Sequence, residues 1–414
     1  MILTNARIVT LDPANRVLDS GAVEVLADGT IGKIGQVPAE AETLDCGGKL
    51  LMPALINCHT HLYSTLARGI PLTGAPPRNF PEILSKLWWR LDRALDLDDV
   101  YYSALVGLID SAKCGVGTLI DHHSSPNACR GSLDAIARAF GEVGLRGALC
   151  YETSDRGGEG EAEDAVRENV RFIESRRDEM LGGAFGLHAA FTLTDATLRR
   201  CVEANQSLGA GFHVHVAEDV CDAGAVGRLR DFGVLDEKTI AAHAVHVSEA
   251  ERKTLAECHV NVIHNPQSNC NNAVGLADLP ALIRKGVVVG LGSDGYSPRL
   301  WEEFKTAAQH QDADAAMSAL RNNRAIVKKV FGMDIGRIET GARADLMLVD
   351  YYPPTPIHSG NLCGHFAFGI SNAPVDSLMV NGKWVMRGGH CVAVDERLVA
   401  ERAAAQAKKL WERF

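Results

Sequence analysis

No run of about 18 consecutive apolar residues occurs in the 414-residue sequence, so no membrane-spanning helix is expected. The start, MILTNARIVTLD, lacks the basic residues, long apolar stretch and small-residue cleavage site of a secretory signal. Lys and Arg are nowhere clustered and the formal net charge is −10. A nucleic-acid partner is therefore not expected, because such binding rests on grouped basic side chains. None of the eleven cysteines forms a C-x-x-C pair. That argues against a zinc ribbon and against the Cys-ligated zinc of the small cytidine-type deaminases. Scattered thiols, odd in number, fit a reducing, cytoplasmic compartment.

What is present is ordinary globular composition, 46% hydrophobic and 23% charged. The length suits one large α/β barrel with a small extra domain. Residues 1–50 read as short strands broken by turns, and ADLMLVDYYPP and DSLMVNGKWVMRGG near the other end have the same character, with Asn381-Gly382 as a hairpin signal. The expectation is a small β-sandwich domain built from both termini, 1–50 and 342–392, around a barrel at 51–341, with a final helix at 393–414 capped by Asp395.

Within 51–341, eight apolar runs alternate with helical stretches: LLMPALINCHTH, GVGTLIDHH, LRGALCYETSD, GGAFGLHAAFT, GAGFHVHVAED, TIAAHAVHVS, HVNVIHNPQSN and VVVGLGSDG. Continuous apolar strands with intervening helices predict a buried parallel sheet, and eight units predict a (β/α)8 barrel. Polar residues gather where these runs end, the end that carries the active site in such barrels. The segment PEILSKLWWRLDRALDLDD predicts one long amphipathic helix, in which Trp88 and Trp89 are read as packing residues.

His59 and His61 are two apart, so a strand turns both imidazoles to one face, where they can share a cation. His213 and His215 repeat the pattern, with Glu218 just beyond. Asp294, after the eighth run, can complete a metal shell or take a proton from bound water, and His243 ends the sixth run. Imidazoles with a carboxylate suit zinc, iron(II) or manganese. Such a cation lowers the pKa of bound water toward about 7. His213 and His246 are read as structural residues. Gly290-Leu291-Gly292 lacks the later glycine and helix start of a nucleotide loop.

Together, H-x-H after an apolar strand, H-x-H-x-x-E, AHAVH, HNPQSN and LGSDG resemble the amidohydrolase superfamily, in the branch of metal-dependent deaminases and triazine chlorohydrolases. Residues 79–123 and 351–376 are similar to the aminohydrolases associated with selenium metabolism. The resemblance implies one divalent metal, zinc with iron(II) as the alternative, held by His59, His61, His215 and Asp294. It implies Glu218 as proton shuttle, with His243 and Asp294 sharing the catalytic work, and His188 at a position that contacts substrate. His122, Asn265 and Ser268 are further pocket candidates. The fourth run contains no lysine, so the carboxylated-lysine bridge of two-metal members is not expected.

The function implied is hydrolytic deamination of an amino-substituted N-heterocycle, of purine, pyrimidine or pterin type, by metal-bound hydroxide. Opening of a cyclic amide or cleavage of a C–Cl bond at the same site is the alternative, and a non-catalytic scaffold the third reading. The expected partner is a small-molecule substrate. Many barrels of this kind associate, so a homo-oligomer stays open. The stretch after Asp294 is short beside the family, which leaves the substrate undecided.

Overall fold

The computed structural model describes residues 1–36, 42–175 and 178–414. Eight of the strands carry the site: β1 (Leu55–Thr60), β2 (Val116–His123), β3 (Arg146–Tyr151), β4 (Phe185–Ala189), β5 (Phe212–Val216), β6 (Ile240–His243), β7 (Asn261–His264) and β8 (Val288–Leu291). They match the eight apolar runs in order. β1, β2 and β3 form a parallel sheet with a short strand at Leu181–Gly183, and β4 to β8 form a second parallel sheet. Isolated bridges join the two sheets, Thr153 with Leu187 on one side and Thr60 with Asp294 on the other. Every residue of β1 to β7 is buried, as strands covered on both faces must be.

Helices separate the strands, among them Ser132–Val143, Glu159–Ser175, Asp195–Gln206 and Ala313–Phe331. The long helix expected over residues 81–99 is interrupted. Phe80–Ile83 is followed by a π turn at Leu84–Trp88 and a short helix at Trp89–Ala94. Leu95 is extended, and Asp96 begins a new helix, Leu97–Lys113, with a capping box to Asp99. The leucine spacing runs on through this break, but the Asp96 carboxylate satisfies the Asp99 amide and so restarts the helix there. The C-terminal helix, Glu396–Arg413, is capped by Asp395, whose Oδ1 accepts from the amides of Arg397 and Leu398.

Strands from both ends of the chain form one nine-stranded sheet. Leu346–Val349 pairs antiparallel with Leu50–Pro53, which pairs with Ile2–Val9. Val375–Val380 and Lys383–Arg387 form the expected hairpin, with Asn381 at φ 50° and Gly382 at φ 73°. Leu3, Ile8, Val23, Ile31, Leu51, Leu346 and Met379 share one apolar cluster on this sheet.

A buried ion pair ties this sheet to the parallel one: Arg146 of β3 donates to Asp345, and both side chains are 2% exposed. The other Asp345 oxygen accepts from the Asn381 amide at 2.7 Å. Asp345→Ala would leave a guanidinium buried without its partner. The expected loss is about 3–5 kcal/mol of unfolding free energy, read by denaturant titration.

Candidate active site

The polar residues at the C-terminal ends of the strands converge. β1 delivers His59, with His61 just past its end; β5 delivers His213 and His215; β6 ends on His243. The chain leaves these strands in strained conformations: Ala217 has φ 47°, His243 φ 76° and Asp294 φ 55°, all in the left-handed region that side chains other than glycine rarely adopt. Asp294 is fixed against β1, its amide donating to His59 O at 3.0 Å while the His61 amide donates to Asp294 O at 3.3 Å. Gly292 permits this approach, because a Cβ there would lie 2.9 Å from His59 Cβ and 2.5 Å from Asn265 Oδ1.

Hydrogen bonds fix the tautomers. His61 Nδ1 donates to His122 O at 2.6 Å, and His215 Nδ1 donates to His188 O at 2.8 Å. A carbonyl only accepts, so each Nε2 of the neutral rings carries a lone pair. These two Nε2 atoms face each other at 3.1 Å. His61 Nε2 also lies 3.0 Å, and His59 Nε2 3.4 Å, from Asp294 Oδ1. His59 Nδ1 shares a proton with His213 Nε2 at 2.9 Å, and buried His59 Nε2 has no hydrogen-bond partner. Four electron-rich atoms aimed at one point without donors call for a positive charge between them. The titration of His61 says the same. Burial disfavours its charged form, yet Asp294 outweighs that and raises its pKa to about 9. His59 goes the other way, lowered to about 4 chiefly by burial. Imidazole nitrogens with one carboxylate are a donor set for a borderline divalent cation, and the residues present fit it.

His243 Nδ1 bonds to Asn269 Oδ1 at 2.8 Å, which leaves Nε2 pointing toward Glu218 Oε2 at 3.4 Å. Burial, then the nearby Asp294 charge, holds the Glu218 carboxyl well above the usual carboxylate range, and Asn272 Nδ2, donating to Oε1 at 3.2 Å, opposes this. Ser268 Oγ donates a short hydrogen bond to Asp294 Oδ2.

These groups open onto a pocket of about 620 Å3, its mouth included, where His61, His188, His215, Glu218, Ser268 and Asp294 meet an apolar wall of Tyr63, Phe80, Leu84, Trp88 and Trp89. His188 thus lies in the pocket, its Nδ1 bonded to Thr192 Oγ1 at 2.7 Å. His122 and Asn265 do not line it. His122 stacks on His213, ring centroids 4.8 Å apart, and its ring nitrogens lie within reach of those of His59, His61 and His215, while Asn265 Nδ2 donates to Ile263 O at 3.3 Å. Trp88 and Trp89, read as packing residues, do pack against the apolar clusters and also line the pocket. Asn272, Asp92, Glu152 and Arg156 went unremarked in the sequence. Glu152 carried a readable signal, since it follows β3 directly, as His188 ends the fourth run. Asn272 and Asp92 sit on helical segments and carried none.

The sequence profile of the amidohydrolase family matches residues 50–385. A 5-methylthioadenosine/S-adenosylhomocysteine deaminase of Desulforudis audaxviator is 32% identical, with 92% of each chain covered. A 5′-deoxyadenosine deaminase of Methanosarcina mazei is 31% identical over 99% of this chain and 98% of its own. Among solved structures, a zinc-bound adenosine deaminase from Xanthomonas campestris superposes with a TM-score of 0.86 at 22% identity, covering 100% of this chain and 98% of that one. The zinc-complexed atrazine chlorohydrolase of Arthrobacter aurescens gives 0.82 at 20% identity, with 99% of both covered. These likenesses place the chain in a TIM-barrel-like α/β fold, and the profile match together with relatives above 30% identity over nearly the whole length shows that it belongs to the amidohydrolase family.

Proposed function

We infer that the chain is a deaminase that removes an amino group from an N-heterocycle, with adenosine-type nucleosides as the leading substrates, at a single divalent metal. The observation that carries the reading is the pair of lone-pair Nε2 atoms of His61 and His215 at 3.1 Å, beside a largely buried Glu218 and under aromatic walls. His59, His61, His215 and Asp294 would hold the ion, zinc being the choice favoured by the zinc-bound structural neighbours. When bound, the cation supplies activated water, lowering its pKa toward about 7.

Glu218, its carboxyl held above the usual range chiefly by burial, takes the first proton of the activated water and gives it to the ring nitrogen. Asp294 takes the second proton and passes it to the departing amine, which leaves as ammonia, and Ser268 orients Asp294. His243, held by Asn269, turns its Nε2 lone pair toward Glu218, where it accepts from the protonated carboxyl and orients it. His188 and the tryptophans position the ring.

The likeness to a chlorohydrolase speaks for the fold, whereas the relatives above 30% identity carry deaminase names. Incubation with 5′-deoxyadenosine, 5′-methylthioadenosine and adenosine is expected to release ammonia stoichiometrically with the inosine-type product. Chloride release from a chlorotriazine without ammonia from any nucleoside would move the assignment to the chlorohydrolase reading.

The same reading takes β1 to β8 as a closed barrel at 51–341, supported by the bridges Thr60–Asp294 and Thr153–Leu187. The sheet from residues 1–50 and 342–392 is taken as a sandwich folded over its own apolar cluster, with the final helix apart at 393–414. Eleven free thiols suit the cytoplasmic setting. Among the described residues no helix is long and apolar enough to cross a membrane.

A further inference from the structure

The pocket has a second polar wall that this chemistry does not use. Glu152, directly after β3, and Asp92, in the helix Trp89–Ala94, both line the pocket and are only 6% and 1% exposed. Arg156 pins them from behind: one Nη2 donates to Asp92 Oδ2 at 2.8 Å and to Glu152 Oε1 at 3.0 Å, with the guanidinium 5.1 Å from the Trp89 ring centroid. Arg156 is not among the residues that line the pocket. The wall therefore presents two acidic residues to the pocket and keeps their one cation out of its lining. Asp92 Oδ1 is buried without a partner, an unmet acceptor in the wall. One donor atom each from Glu152, His188 and His215 lie within 4.8 Å of one another. Glu152 thus lies close to both His188 and His215.

We propose that Glu152, positioned by Arg156, is a specificity-determining residue that accepts a hydrogen bond from an N–H or hydroxyl of the substrate and, with Asp92, rejects substrates bearing an anionic group. The inference rests on the deaminase reading and narrows its substrate class to uncharged or cationic N-heterocycles that carry such a donor. Two carboxylates face one guanidinium, and burial pushes Glu152 up to about 7, so the wall becomes net negative as the second carboxylate ionises. An anion placed there meets like charge at short range, whereas a donor pairs with an oxygen already held in place.

Binding is the decisive readout, because Trp88 and Trp89 line the pocket and quenching of their fluorescence reports occupancy whether or not chemistry follows. Metal-loaded protein at pH 8, above the value of about 7 to which burial pushes Glu152, is titrated with 5′-deoxyadenosine, adenosine and adenosine 5′-monophosphate. The wild type is expected to bind both nucleosides at least about tenfold more tightly than the monophosphate. Glu152→Gln, checked for unchanged metal content and melting, narrows that gap to about threefold or less, while Glu152→Asp, which keeps the charge, retains it. Equal wild-type affinity for nucleoside and monophosphate, the same gap in Glu152→Gln, or no binding of any of the three overturns the inference. The expected binding pattern without ammonia release removes the deaminase reading alone and leaves this one standing.

Discussion

Glu218→Gln is expected to lower kcat by about 10²–10⁴-fold while leaving the metal and the fold in place. Glutamine has the same shape, and its amide carbonyl can still accept from Asn272 Nδ2, which lies 3.2 Å from Glu218 Oε1. What it lacks is a proton to move. Burial first and Asp294 second hold the Glu218 carboxyl above its ordinary range, which strengthens its hold on the proton it relays. His243 does not supply a substitute. Its Nδ1 is engaged with Asn269, and burial depresses its pKa, so it stays neutral where a protonated donor is needed. Ammonia release measures kcat, metal analysis measures ion content, and tryptophan quenching measures ligand affinity. The expected pattern is a collapse of the first with the other two unchanged. Turnover within tenfold of wild type would remove Glu218 from the mechanism.

How much of this could be read from the sequence depends on the range of the interaction involved. The eight parallel strands announced themselves because each is an uninterrupted apolar run ending in polar side chains, and strand periodicity alone places His59 with His61 and His213 with His215 on common faces. Asp395 and Asn381-Gly382 were legible because a cap and a tight turn are local chemistry. The break at Leu95 was written locally as well, in the capping box of Asp96 and Asp99, but apolar spacing continuing across it hid the signal. The pairing of Leu50–Pro53 with Leu346–Val349 joins segments nearly three hundred residues apart, and nothing in either names the other. His122 and His123 are adjacent on β2, so one turns away from the other, and only the packed structure shows His122 stacked on His213 and outside the pocket lining. The wall of Asp92, Glu152 and Arg156 joins two distant segments through a guanidinium, and such a pairing leaves no trace in periodicity.

Chelator-treated protein is expected to lose all activity and to melt at least about 5 °C lower, and one equivalent of zinc or iron(II) per chain is expected to restore both. Without a cation the cluster is frustrated. Each Nδ1 of His61 and His215 is committed to a backbone carbonyl, so neither ring can turn its lone pair away from the other without giving up a buried hydrogen bond. A proton on His61 relieves part of this, as Asp294 raises its pKa against the pull of burial, but His59 and His215 both resist protonation because they are buried among other imidazoles. One proton thus replaces a doubly charged ion serving four ligands. An ion present at a thousand times its dissociation constant stabilises the folded chain by about 4 kcal/mol, and that increment is what the chelator removes. Stoichiometry discriminates further. β4 has no lysine to bridge a second ion, so metal analysis should saturate at one per chain, and His215→Ala should abolish that binding. Two tightly held ions per chain, or full activity after exhaustive chelation, would break the link between this histidine cluster and the reaction.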